Sequence, residues 1–167
     1  GIYRDEKYGE NLINFLITNK KQNFKLRISK YFILNLKSDK KYLKKNILTF
    51  EDNLDKKNFI KEIIKSDAVL LPYKIPDYSY RTSGIFFETI SLNKFTFVST
   101  GSLMSKDLKK FNLNDMCVEN WKNLKIKKIL SVINNRVSNK KLLKFSNYYK
   151  KINGSIPFSN KLKELCV

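Results

Sequence analysis

Residues 67–101 read DAVLLPYKIPDYSYRTSGIFFETISLNKFTFVSTG, and this stretch decides the fold class. It holds two continuous apolar runs, Ala68–Tyr73 and Phe95–Ser99, each of strand length and each bounded by turn formers. Between them lies Gly84–Leu92, a helix-length segment that is apolar almost all round. Strands without alternation beside a buried helix point to a parallel sheet covered on both faces. The polar interruption Lys74–Ser83 joins the first strand to the helix. In open α/β sheets ligands bind where strand ends feed helix starts, so a functional site is expected there.

Glycine placement supports that position. The chain has five glycines in 167 residues, and Gly84 and Gly101 fall just past these two strands. With Ser83 or Thr82 as N-cap, the free N–H groups of residues 84–86 would form an anion site. Tight turns alone would account for the same glycines. Glu88 is the one carboxylate in the run GIFFETISL. It is placed to accept hydrogen bonds from a pair of ribose hydroxyls, or simply to offset the positive end of the helix.

Outward from this centre, the pattern is strand and helix in alternation. Tyr8–Thr18 carries an apolar stripe, Phe24–Ser29 and Ile47–Phe50 are strand candidates, and Phe59, Ile60, Ile63 and Ile64 mark a helix capped by Asp52 or Asn53. Downstream, Leu103–Phe111, Trp121–Asn134 and Ser138–Ile152 are helix candidates, with a short strand at Asp115–Val118. The expected fold is a doubly wound, Rossmann-like parallel sheet with helices on both faces. Residues 1–137 would form it, and residues 138–167 would be a C-terminal helix and tail.

The length fits one domain, and 42% hydrophobic residues argue against disorder. No apolar run approaches the length of a membrane span and no signal peptide is recognisable, which points to the cytoplasm. Cys117 and Cys166 have no metal-ligand spacing and the chain has no histidine, so no metal site and no histidine-based catalysis is expected. No G-x-G-x-x-G motif comes after a strand, which disfavours a dinucleotide oxidoreductase. The formal net charge is +19, with lysines spread along the chain and modest clusters at Lys37–Lys45, Lys122–Lys128 and Lys140–Lys151. Solvated faces explain it most simply. An anionic membrane surface ranks next, giving a peripheral position at the inner membrane, and nucleic acid is disfavoured because no binding signature accompanies the charge.

Four segments in order, GIYRDEKYGENLI, FKLRIS, KSDAVLLPY and RTSGIFFETISLNKFTFVSTG, resemble the C-terminal, nucleotide-sugar-binding domain of GT-B glycosyltransferases, in particular the retaining, metal-independent group. The resemblance runs from Gly1 to Val137. It implies transfer of a sugar from a nucleoside diphosphate sugar to a hydroxyl acceptor, with no cofactor. It also implies that Arg4 and Lys7 are catalytic, neutralising the departing diphosphate, and that Glu88 binds the ribose. Ser83 and Gly84 would cradle phosphate or sugar, Arg81 and Thr82 would border them, and Thr100 and Gly101 would line the base and ribose pocket. Tyr80 stands where many members carry a second, sugar-contacting glutamate. No counterpart of the family's N-terminal acceptor domain is present in these residues, so the chain is expected to be a fragment, inactive alone, with that domain as its partner and the helix Ser138–Ile152 packing back on it. A non-catalytic glycosyltransferase-like scaffold and a basic Rossmann-like module for polyanions or nucleic acid are the alternatives.

Overall fold

The computed structural model describes residues 5–30, 46–51 and 53–153, with side chains described outside residues 5–10 and Asn153. These residues form six helices and five strands. Helix α1 (Asp5–Thr18) leads to β1 (Leu26–Ser29), then β2 (Ile47–Phe50), α2 (Lys56–Ile64) and β3 (Ala68–Leu71). They continue with α3 (Gly84–Ser91), β4 (Phe95–Ser99), α4 (Leu103–Lys110), a 3₁₀ turn at Asn114–Met116, β5 (Cys117–Val118), α5 (Ile126–Ile133) and α6 (Arg136–Asn153).

Every strand pair is parallel. β1 pairs with β2, and β3, β4 and β5 form a second sheet in that order. The class is therefore α/β, as the apolar runs indicated, but the strands lie in two small sheets instead of one. Among the described residues the outer edges of β1 and β3 have no strand partner. β4 is the centre of its sheet and is buried at all five positions. Its continuous apolar character comes from having covered faces on both sides. Fully burying a side chain such as Phe97 contributes about 1.5–3 kcal/mol, so this strand is a main source of stability.

Helix α3 lies beside β4 and buries Phe86, Thr89, Ile90 and Ser91. Its far side is covered by α6: the Phe86 ring stands 6.3 Å from Phe145 and 6.1 Å from Tyr149, and Phe87 is 4.4 Å from Tyr149. Leu142, Phe145 and Tyr149 of α6 thus belong to the same core as β3 and β4. Ser146 Oγ of α6 donates to the Ser91 carbonyl.

Helix α1 contributes Leu12, Phe15 and Leu16 to the core, as its stripe indicated. Phe15 meets the Trp121 ring edge-on at 6.5 Å. At the end of α1 the buried Asn19 side chain makes three bonds. Its Nδ2 donates to the carbonyls of Phe15 and Leu124, and its Oδ1 accepts the Ile126 amide at 2.9 Å. A residue 107 positions upstream thereby caps the first turn of α5.

Among the element boundaries that differ from the sequence expectation, two have a clear physical cause. The cap of α2 is Asp55, which accepts the Asn58 amide at 2.7 Å, while Asn53 takes φ 57° and Asp52 lies outside the described residues. Helix α5 begins at Ile126 and not Trp121, because residues 121–123 form a turn that delivers the indole into the core. Lys94 closes α2 from outside, its Nζ donating to the carbonyls of Ile64 and Ser66. Arg27 of β1 holds Glu62 of α2. Burial alone would raise the Glu62 pKa, but hydrogen bonds from Arg27 and Lys65 outweigh it and hold the carboxyl below its usual value.

Replacing Asn19 by Ala removes the cap of α5 and leaves its partners buried without donors or acceptors. We expect a loss of about 2–3 kcal/mol, read by urea denaturation with an unchanged slope.

Candidate functional site

The carboxyl ends of β3, β4 and β5 converge on an open crevice of about 230 Å³. Its wall is built from residues at or just past each strand end: Tyr73 and Ile75 after β3, Ser99 and Thr100 at the end of β4, and Glu119, Asn120 and Trp121 after β5. Asn11 of α1 completes the rim, and its Nδ2 donates to the Pro72 carbonyl at 3.1 Å. A crevice of this volume is below the ~300–1,000 Å³ of a site for a whole drug-sized ligand, and so suits one portion of a larger molecule.

Ser99 fixes the floor. Its hydroxyl donates to the Tyr73 carbonyl at 2.6 Å and accepts the Trp121 indole N–H at 3.0 Å. Three strand ends are joined through one buried oxygen. Beside it, Thr100 Oγ1 is buried with no hydrogen-bond partner, the one such side-chain atom among the described residues. A hydroxyl left in that state costs free energy unless something pairs with it, and here it borders the crevice. Gly101 comes next at φ 89°, a conformation that disfavours any side chain, so the turn presents Thr100 in a fixed pose.

The loop 74–83 folds back over this turn. Tyr78 stacks on Tyr73 with centroids 4.2 Å apart, and its carbonyl accepts the Leu103 amide. Tyr73 then links the crevice to the start of α3, because its hydroxyl lies 3.0 Å from Ser83 Oγ. Ser83 does occupy the N-cap position of α3, with φ −121° and ψ 132°, but its side chain bonds Tyr73 and makes no bond to its own helix. The first amides of α3 are left without a side-chain cap, and the space where a Gly84 side chain would stand is open. Amides without a side-chain cap at a helix start are donors of the kind that an anion accepts from.

The structure brings some of the sequence-selected residues together and separates others. Thr100 lines the crevice and Gly101 shapes it, while Ser83 and Gly84 stand on the far side of Tyr73. Arg81 is exposed, with its guanidinium 5.3 Å from the centre of the Tyr78 ring. Thr82 is also exposed and hydrogen-bonds Tyr149, whose pKa is pushed up by burial and by the charge of Asp107. Glu88 does not line the crevice. It is half-buried on α3, with its pKa raised by burial and lowered in part by the charge of Lys56 at the start of α2. Arg4 and the Lys7 side chain lie outside the described residues.

Tyr73, Ser99, Glu119, Asn120 and Trp121 were not singled out by sequence reasoning. Thr100 came from the segment resemblance, whereas the rule that ligands meet the ends of parallel strands, applied to the loop after β3, applies equally to the residues after β5. Asn11 carried no such signal, because its place comes from the packing of α1. Cys117 is a free, half-buried thiol whose pKa is raised by burial. No group of residues suited to a metal ion exists among the described residues, and no helix there is long and apolar enough to cross a membrane.

No protein-family model, curated protein or solved structure matches this chain.

Glu88→Gln separates ligand binding from stability. A carboxyl whose pKa is raised on folding penalises the folded state once pH climbs through its unfolded value, about 4.3, and beyond. The variant should melt higher than the parent at neutral pH, and the difference should vanish near about pH 3.5. Thermal melts across that range read it directly.

Proposed function

We propose that the chain is the donor-binding part of a glycosyltransferase, holding a nucleoside diphosphate sugar at the carboxyl edge of a wound parallel sheet. The observation that carries this reading is the crevice at the ends of β3–β5, with the unpartnered Thr100 hydroxyl beside it. The uncapped start of α3 lies across Tyr73 from that hydroxyl. Hydroxyl-bearing and phosphate-bearing portions of one ligand would occupy the two places. The segment resemblance to GT-B donor domains points to the same ligand class.

The two sheets support a finer reading of the fold. In a doubly wound sheet the first strand lies between the second and the fourth, and the helix after it leads to the second. Helix α1 leads to β1 here, and β1 and β3 each have one edge unpaired among the described residues. A single Rossmann-like layer would need one further parallel strand between the two sheets. We therefore regard the chain as one half of a GT-B enzyme, paired with an acceptor-binding domain and working on the cytoplasmic side.

In that assembly Ser83, Gly84 and the α3 amides would hold phosphate, with Arg81 and Thr82 at their margin. Thr100 and the Gly101 turn would border the base, and Glu88, on α3 outside the crevice wall, would accept ribose hydroxyls where the ligand leaves the crevice. Arg4 and Lys7 would offset charge on the departing diphosphate, an electrostatic contribution that is often the largest in such transfers. Closure of the two domains would align donor and acceptor and exclude water. The net charge of +19 favours a second reading, a polyanion-binding module, whose affinity would fall steeply with salt and ignore Glu88.

A calorimetric screen of UDP, GDP, ADP and their sugars decides between them. One nucleotide should bind saturably, and Glu88→Ala and Thr100→Val should each weaken it at least about tenfold, equivalent to about 1.4 kcal/mol. Thr100→Val should leave the unliganded melting temperature unchanged or raised, since a buried hydroxyl without a partner is removed. The isolated chain should show no sugar transfer. Absence of binding by every nucleotide, or binding indifferent to both variants, would overturn the proposal.

A further inference from the structure

The positive charge is not evenly mixed with its opposite. Residues 120–153 contain ten lysines and arginines and no aspartate or glutamate, although the chain has 15 acidic residues in all. This segment comprises the turn after β5 and helices α5 and α6. Random scatter of lysine in a lysine-rich chain does not strip two whole helices of acids. The result is a pair of helices that carry only positive charge of their own, with Asp107 of α4 the acid whose charge reaches Tyr149.

The same helices carry an unusual share of exposed apolar groups. Leu130, Val137, Leu143, Tyr148 and Ile152 are all exposed, Val137 and Ile152 by 58% and 59%. On α6 the spacing places Val137, Lys144, Tyr148 and Ile152 on one stripe, with Lys140 and Lys151 next to it. The adjoining stripe, Leu142, Phe145 and Tyr149, is spent on the core, and Tyr148 at the border lies 5.0 Å from the Phe111 ring. The apolar surface of α6 thus runs from the core out to an exposed flank, where it is interleaved with ammonium groups.

We infer that the α5–α6 face docks on an anionic lipid surface. Lysines there meet lipid phosphates, while Val137, Tyr148 and Ile152 enter the headgroup layer. A basic amphipathic helix lying in the interface plane uses the same two components. Charge complementarity selects an anionic partner, and the exposed aliphatic groups select a bilayer over nucleic acid, which offers phosphates but no apolar layer to receive Val137 and Ile152.

The test is sedimentation of the full chain with vesicles of phosphatidylcholine alone, or with about one third phosphatidylglycerol, at low and physiological salt. Binding is expected only to the anionic vesicles. The triple variant K140E/K144E/K151E should lose it by at least about a hundredfold, since each lysine near such a surface contributes about fivefold. The variant V137S/Y148S/I152S should lose the part of the binding that survives physiological salt. The charge-matched control K21E/K57E/K61E, on other elements, should bind within about threefold of the parent at physiological salt, where distant charges are screened. Circular dichroism confirms that each variant is folded. No binding to anionic vesicles, an equal loss in the control, or an apolar variant that binds like the parent while duplex DNA competes the chain off the vesicles would overturn the inference.

Discussion

The hydroxyl of Ser99 is the constraint on which the functional edge depends. It donates to the Tyr73 carbonyl and accepts from the Trp121 indole, so the ends of β3, β4 and β5 are held by one atom. Those strands are short, four, five and two residues, and their ladder bonds alone would leave the ends free to fray. Burial makes the arrangement costly to break, because either partner left alone in the core forfeits a full hydrogen bond. The crevice is the surface consequence of that fixed floor, and Thr100 is presented beside it by the left-handed turn at Gly101.

Coupling between the halves of the molecule runs through α1 and its end. Phe15 packs on Trp121, Asn11 bonds Pro72, and Asn19 caps α5. The helix that precedes β1 is thereby fastened to the sheet that contains β3. The parallel pair β1–β2 and the sheet β3–β5 share a core, with Ile28 and Leu71 in the same apolar cluster, while their strands do not pair. Among the described residues β1 and β3 each keep one edge without a strand partner.

Much of this is legible in the sequence, and the reasons are physical. The runs Ala68–Leu71 and Phe95–Ser99 are apolar at successive positions because both faces are covered, so their strand character needs no tertiary knowledge. The stripes of α1 and α2 and the turn at Gly101 are equally local. What local pattern cannot show is competition between distant groups. Trp121 reads as the start of a helix, yet its indole is drawn into the core by Ser99, and the helix waits for a cap supplied by Asn19. Ser83 is legible as the N-cap, but its hydroxyl turns to Tyr73 because that phenol is buried and needs a partner. The placement of Glu88 near the charge of Lys56 is set by the position of α2, which no feature of GIFFETISL encodes.

Trp121 offers the most direct measurement, because it is the single tryptophan of the chain and its indole N–H sits in the crevice floor. Its one indole resonance in a nitrogen–proton correlation spectrum reports on the Ser99 bridge itself. The account predicts that titration with the cognate nucleoside diphosphate sugar moves this signal saturably, together with the amides of Thr100 and Gly84. An indole signal that stays fixed through saturation, while shifts gather on other faces of the molecule, would contradict it.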